Sequence, residues 1–262
     1  MTPLKDTIIK LVKDFGIKGD NENGQNFLVD EDTLAKEIGS AELKETDTVL
    51  DIGAGFGSIE TEARKICHII AVEKEIKCYS YLIDKYELDP NVEIINADAL
   101  DMVYPKFNKI ISNPPYNIAD RLLEKISFYD FDTGVMILPN TIAQQLLSKK
   151  EDTVFSAVQK IFFDFTEITE VTKNAFYPVP RVTSRMIKMT KKQNGVMQEI
   201  FRRREMTLKN AIINGLIAVE YKTKREGRTE FSGIPDEIKN IGYKEVKKLT
   251  VNEIKMVADY FK

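Results

Sequence analysis

Cysteine and histidine are scarce in this chain of 262 residues, which has Cys67, Cys78 and a single His68. Two cysteines cannot build the disulfide framework of a small secreted domain, and with one histidine they cannot furnish a clustered zinc site. Cys67 and His68 are neighbours at a predicted strand entry, where successive side chains point to opposite sides. They read as ordinary core and surface positions, and no metal is expected. Long apolar runs are missing too: nothing approaches the roughly 20 residues that span a bilayer. The amphipathic stretch 4–15 is interrupted by Lys5, Asp6, Lys10, Lys13 and Asp14, which is not the pattern of a secretory leader. No internal repeat or low-complexity tract stands out. The expectation is a globular, cytoplasmic chain with no membrane partner. With 43% hydrophobic and 30% charged residues it can form one sizeable core and a smaller second unit.

Net charge is also small, at −3, but it is unevenly spread. Residues 181–228 hold 13 Lys and Arg against 4 Glu, a local +9 that leaves −12 for the rest. An acidic body with a basic region suits a phosphate backbone as partner. Arg202-Arg203-Arg204 taken alone is equally well a solvated helix face.

From about residue 48 to 147, apolar runs alternate with helical spacing, which predicts βα units and a largely parallel sheet. Strands are expected at 48–52, 69–73, 92–96, 109–112 and 134–138, with helices at 58–66, 76–87, 118–128 and 141–148. Segments 166–171 and 182–189 flank a Pro-containing loop and are expected to close the sheet as an antiparallel pair. After 191–195 the pattern is helical only, with helices at 197–221, 235–241 and 251–261 separated by Gly227, Gly233 and Gly242. The stretch 4–15 is expected as a helix packed on the body. The chain therefore divides into an N-terminal helical extension (1–23), an α/β domain (24–192) and a helical domain (193–262).

Asp51-Ile52-Gly53-Ala54-Gly55-Phe56-Gly57 lies between a strand and a helix. Its three alternate glycines permit positive φ and close approach of a ligand, which in such sheets sits at the carboxyl ends of the strands. Glu73 ends the next strand 20 residues after Gly53, the spacing at which a carboxylate reaches ribose hydroxyls. Asp98 follows the third strand, where it can accept a hydrogen bond from an adenine amine. Together they predict a nucleoside cofactor, either nicotinamide or S-adenosylmethionine. Asn113-Pro114-Pro115-Tyr116, after the fourth strand, decides between them. A conjugated amine is a poor nucleophile because its lone pair is delocalised. An Asn oxygen and a backbone carbonyl in a Pro-stiffened turn can accept the amine hydrogens, and a Tyr ring can stack on the base. Hydride transfer has no evident use for that turn, whereas in-line methyl transfer needs a nucleophile held close and dry. Without the upstream glycines, Asn-Pro-Pro would read simply as a chain break.

Gly24-Gln25-Asn26-Phe27-Leu28, the glycine turn, Asn113 to Asn117, and Asn174-Ala175-Phe176-Tyr177-Pro178-Val179-Pro180-Arg181-Val182-Thr183-Ser184 follow one another in an order that resembles the ribosomal RNA adenine dimethyltransferases. That family includes small-subunit rRNA enzymes and macrolide-resistance methylases. The resemblance covers roughly 24–189, and Phe201-Arg202-Arg203-Arg204 with Leu208-Lys209-Asn210-Ala211 is similar to the family's substrate-recognition domain. It implies a Rossmann-like, S-adenosylmethionine-dependent methyltransferase sheet with a small helical C-terminal domain. It further implies dimethylation of adenine in small-subunit rRNA during ribosome assembly, by a monomer acting on an immature subunit. On that resemblance Gln25, Asn26, Leu28, Gly53, Gly55 and Asn113 line the cofactor pocket, with Glu73 on the ribose and Asp98 and Ala99 at the adenine. Asn113 and the Pro114 carbonyl hold the target amine, Tyr116 and Phe176 clamp its ring, and Arg181, Arg202, Arg203, Arg204 and Lys209 contact RNA. The chain departs from the family at Gly19–Asn23, where a basic stretch is usual, at Leu138-Pro139-Asn140-Thr141, at 151–156, and at Pro114, where Leu or Ile is usual. Those departures keep two alternatives in view: an RNA-binding assembly factor with little catalysis, and an adenine methylase of large-subunit rRNA or DNA.

Overall fold

A computed structural model describes residues 3–17, 25–150, 152–193, 195–220 and 223–261. Gly24, the 19–23 segment, Glu151 and Tyr221 lie outside the described residues. The chain divides into two compact units, Met1–Leu147 with Phe165–Thr190 and Ser148–Asp164 with Lys191–Lys262. This differs from the division expected from sequence in three places: the leading helix joins the first unit, 148–164 joins the second, and the boundary expected after 192 falls after Thr190. No helix of the described residues is long and apolar enough to cross a membrane.

The first unit carries helices α1 (Leu4–Asp14), α2 (Glu31–Ser40), α3 (Ser58–Ala63), α4 (Ile76–Tyr86), α5 (Ala119–Ile126) and α6 (Asn140–Leu147). Its strands are β1 (Phe27–Leu28), β2 (Thr48–Ile52), β3 (His68–Glu73), β4 (Val92–Asn96), β5 (Lys109–Ser112), β6 (Thr133–Pro139), β7 (Phe163–Val171), β8 (Phe176–Tyr177) and β9 (Ser184–Lys191). Seven of them form one sheet in the order β4-β3-β2-β5-β6-β9-β7. The pairs from β4 through β6 are parallel. The five strands expected within 48–138 are there, because Val49, Leu50, Ile69, Ala71, Ile110, Ile111, Val135 and Ile137 are all buried. Strands covered on both faces read as continuous apolar runs, which is the pattern the sequence shows. Strand β9 pairs antiparallel with β6, with Gly134 opposite Met189, and on its other side is hydrogen-bonded to β7, so the two segments expected to pair do close the sheet at this edge.

Two features place the N-terminal segment. Ile8 and Val12 of α1 pack with Val29, Phe56 and Cys78. A two-stranded ribbon pairs Phe27 with Tyr177 and Leu28 with Phe176. Helix α2, not anticipated, starts at Asp30, whose carboxylate accepts the Thr33 N–H at 3.1 Å. Its buried face comprises Leu34, Glu37 and Ile38.

The second unit is helical: α7 (Val154–Phe162), α8 (Val196–Arg202), α9 (Leu208–Glu220), α10 (Lys224–Gly233), α11 (Asp236–Asn240) and α12 (Val251–Tyr260). The single helix expected over 197–221 is two, α8 and α9. The break is held because the first-turn N–H groups of Leu208 and Lys209 donate to the carbonyls of Lys244 and Gly242, at 2.7 and 2.9 Å. Helix α10 contradicts the reading of Gly227 as a breaker. A Cβ there would stand 3.3 Å from both the Ile213 carbonyl and its Cγ2, so the glycine serves close approach of α10 to α9.

Candidate active site

Strand order creates the site. Strand β2 lies between β3 and β5, so the winding of the chain reverses there and the connections after β2 and β5 leave in different directions. Because Leu50 pairs with Ile110, the glycine turn and the Asn-Pro-Pro-Tyr turn become neighbours although about 60 residues separate them. The Ser112 hydroxyl ties them by donating to the Ile52 carbonyl at 2.7 Å. Gly53, Gly55 and Gly57 have φ of +84, +58 and +78°. A Cβ on Gly53 would come within 3.0 Å of Pro115, and one on Gly55 within 2.9 Å of Phe27. The turn is thus covered on one side by Phe27 and on another by the proline turn.

A cavity of about 330 Å³ opens at the carboxyl ends of β2, β3, β4 and β5. Its walls are Ile52 and Gly53, Val72 to Glu75, Ala97 to Ala99, and Pro115, Asn117 and Ile118, with Gln25 across from them in sequence. The volume is within the range of small-molecule sites. Of the cofactor positions expected from sequence, Gln25, Gly53, Glu73, Asp98 and Ala99 line it; Asn26, Leu28, Gly55 and Asn113 do not. Leu28 is a core residue, packed with Leu34 and Phe176. Pro115 and Asn117 lie within the motif read from sequence without having been given a role, and Lys74 and Ile118, not singled out, each adjoin a motif residue.

The carboxylates around the cavity differ in environment. Glu73 accepts the N–H groups of Gly55 and Glu75, both at 2.7 Å, and so braces the glycine turn. Burial pushes its carboxyl above the usual range in spite of those bonds. Lys74 donates to Asp98 at 2.7 Å, and this bond and the Leu100 N–H hold Asp98 below its ordinary value. Beneath the turn, Asp51 and Glu60 are fully buried against one another. Burial and the neighbouring carboxylate push Asp51 well up, and burial pushes Glu60 up to about 7. Such a pair is stable when it holds a proton in common.

Asn113 donates its Nδ2 hydrogen to Glu37 Oε2 at 3.0 Å. Asn113 Oδ1 is buried and meets no hydrogen-bond partner among the described residues. The Tyr116 hydroxyl hydrogen-bonds the buried Ser184 hydroxyl. Phe176 is only 2% exposed, and its ring meets that of Tyr116 edge-on, with centroids 6.4 Å apart and planes at 79°. The two rings expected to flank the target base thus stand side by side, with their planes close to perpendicular.

Comparison with known proteins decides the family. Residues 17–258 match the model of the family described as ribosomal RNA adenine dimethylase. The chain belongs to the ribosomal RNA adenine dimethylase family. Among its relatives, a probable ribosomal RNA small subunit methyltransferase A of Thermococcus sibiricus is 29% identical, covering 97% of this chain and 96% of the relative. One of the same name from Methanosarcina mazei is 31% identical, with 95% of each chain covered. In fold, the chain is similar to a crystal structure of a dimethyladenosine transferase from Plasmodium falciparum, with TM-score 0.62, 22% identity, and 89% and 97% of the two chains covered. It is likewise similar to the 23S rRNA methyltransferase ErmE, with TM-score 0.60, 19% identity, and 90% and 99% covered.

The basic residues expected at RNA are not alike. In the second unit Arg202 and Arg203 both bond Glu199 on the same helix, Arg202 at 2.6 Å. Burial raises Glu199, but the hydrogen bonds from Arg203 and Arg202 outweigh it and hold the carboxyl below its ordinary value. Arg204 is the most exposed of the three, with its Nε 3.8 Å from Glu205. The Lys209 ammonium lies 5.7 Å from the Phe231 ring centre. Arg181, in the first unit, is exposed, and its carbonyl accepts from Lys173.

Proposed function

We propose that this family member is an S-adenosylmethionine-dependent enzyme that dimethylates the exocyclic amine of adenine in small-subunit ribosomal RNA, acting as a cytoplasmic monomer on an immature subunit. The family description and the small-subunit names of its relatives support the substrate class. The observation that carries the site is that one turn supplies both a cavity wall, through Pro115 and Asn117, and a buried amide oxygen without a partner, Asn113 Oδ1.

The cavity residues fit a nucleoside-bearing donor. Gly53 leaves bare backbone at its wall, and Asp98 presents an ionised acceptor for an adenine amine. The Glu73 carboxylate has about four lone-pair sites, and the backbone N–H groups that it accepts leave capacity for a ribose hydroxyl. When bound, S-adenosylmethionine supplies a methyl group on an electrophilic sulfur. The chain does the rest by positioning. In the first transfer Asn113 Oδ1 and the Pro114 carbonyl accept hydrogen bonds from the two amine hydrogens, which returns the lone pair to nitrogen and favours the positive charge that develops there; the methylated nitrogen then loses one proton to solvent, and in the second transfer its remaining hydrogen bonds one of the two acceptors before it too is lost. Tyr116, its hydroxyl anchored on Ser184, replaces the stacking that an extruded base loses, with Phe176 behind it. Gln25, Asn26, Leu28 and Gly55 hold the donor side of the site, partly through the ribbon and Glu73. Arg181, Arg202, Arg203, Arg204 and Lys209 supply cationic contacts to the RNA backbone.

The test is to incubate the protein and S-adenosylmethionine with undermethylated small-subunit particles, digest the RNA and search for dimethyladenosine by mass spectrometry. Dimethyladenosine is expected. Its absence, with donor binding demonstrated and the particles competent for a known enzyme, would overturn the reading.

A further inference from the structure

Helix α2 carries a residue that its pattern does not explain. Its core-facing positions are Leu34, Glu37 and Ile38, spaced as one apolar face, yet the middle one is a carboxylic acid. Glu37 is completely buried, and a buried acid is costly unless something uses it. Among the described residues no cation is paired with it. Its bonded partner is the Asn113 amide, at 3.0 Å, and its second oxygen, Oε1, has no hydrogen-bond partner among the described residues. Glu37 reaches Asn113 across 76 positions of sequence, from a helix that contributes nothing to the cavity wall.

We infer that Glu37 is a positioning residue for methyl transfer, which by accepting the Asn113 Nδ2 hydrogen fixes that amide with Oδ1 turned away from Glu37 and towards the target amine. This rests on the role given above to Asn113. A carboxamide has two ends of nearly equal size and opposite polarity, and rotation by half a turn exchanges them. Exchange at Asn113 would present an NH2 group to the amine, donor against donor, and the lone pair would not be localised. An ionised carboxylate only accepts, so opposite Glu37 the exchanged amide would set oxygen against oxygen. One orientation is allowed. A neutral carboxyl both donates and accepts, so it pairs with either end and the selection is lost.

The charge state of Glu37 therefore matters, and its surroundings set it. Burial pushes the carboxyl up to about 8, against which the Asn113 hydrogen bond works. The titratable groups of the adjoining elements are acidic: Asp51 at the end of β2, within electrostatic reach of Glu37, with Glu60 of α3 and Glu73 of β3 in turn acting on Asp51. An ionised Asp51 is a like charge to the Glu37 carboxylate and favours its neutral form.

Single-turnover rates of the full chain, measured on undermethylated particles between pH 6.5 and 9 for wild type, Glu37→Gln, Glu37→Met and Asn113→Ala, test the inference. The wild-type rate is expected to climb with a midpoint near pH 8 and to level off towards pH 9. Glu37→Gln keeps the shape but, like the neutral acid, pairs with either amide end; with about half of the amides then turned the wrong way it is expected to lose about twofold in rate and to lose the climb with pH. Glu37→Met removes the partner altogether and is expected to do the same. In both, affinity for S-adenosylmethionine, measured by calorimetry, stays within about twofold, which also shows that the fold is intact. Wild-type rate and pH profile in folded Glu37→Gln and Glu37→Met would overturn the inference. Asn113→Ala separates the two readings: if it retains transfer, the role of Asn113 itself falls, whereas an inactive Asn113→Ala beside fully active Glu37 variants sinks only the inference about Glu37.

Discussion

Replacing Glu37 by methionine is expected to stabilise the protein increasingly as pH rises from 5 to 9. The folded carboxyl titrates at about 8 against an ordinary value of 4.5. Between those values the folded chain holds a proton that the unfolded chain has released, so folding takes up a proton and stability falls as pH rises through the window. Above both values the full penalty is present; below both it is absent. At about 1.4 kcal/mol per pH unit the gap amounts to at most about 5 kcal/mol, and relaxation of the surroundings reduces this to about 2–4 kcal/mol. Methionine fills similar volume without a charge, but it orphans the Asn113 amide hydrogen at every pH. The readout is therefore the change with pH of the difference between variant and wild type. For a chain of this size, a difference growing by about 2 kcal/mol corresponds to a melting-temperature gap widening by at least about 4 °C. Glu60, also raised by burial, leaves a slope common to both proteins, whereas Asp51 is raised in part by Glu37, so its penalty lessens in the variant and adds to the same trend. Thermal melts followed by circular dichroism at half-unit pH steps decide it, and two parallel curves would refute the reasoning.

Gly57→Ala is expected to cost about 2–4 kcal/mol in urea unfolding, since its φ is +78° and the new Cβ would lie 2.7 Å from Leu82 Cδ2; a loss under about 0.5 kcal/mol would contradict the crowding. Glu73→Ala strips the Gly55 and Glu75 N–H groups of their acceptor, so calorimetry should show S-adenosylmethionine binding weakened by about tenfold or more, and unchanged affinity would remove Glu73 from the donor site. In RNA titrations against salt, Arg204→Ala should lower the slope of log K by about 0.7–0.9, the contribution of one phosphate contact. Arg202→Ala should lower it less, because Glu199 already engages that guanidinium; a larger effect at Arg202 would reverse the assignment.

Helix α7 and the split between α8 and α9 were not legible in sequence, and the reason is the same for both. Their boundaries depend on contacts far along the chain: α7 packs on α12, and the start of α9 is set by carbonyls at 242 and 244. Gly227 misled because a helical glycine that serves close packing looks, locally, like a breaker. Phe176 was legible in sequence as an aromatic that is more often core than site, but its edge-on packing against Tyr116 was not, since that depends on the ribbon that pairs it with Leu28.

What the sequence determined by itself was whatever depends on neighbours in the chain: the apolar runs of β2, β3, β5 and β6, the positive-φ glycine turn, and the proline-stiffened turn after β5. Those properties come from backbone sterics and local periodicity, which need no partner. What only tertiary structure decided was which of these pieces meet. Parallel pairing of β2 with β5 brings the two turns together, and the packing of α2 brings a carboxylate from position 37 to the amide of Asn113. A buried glutamate is visible in sequence only as an oddity on an apolar face. Its significance lies in the group it touches, and hydrogen bonding is directional and short-ranged, so that contact exists only once the chain has folded.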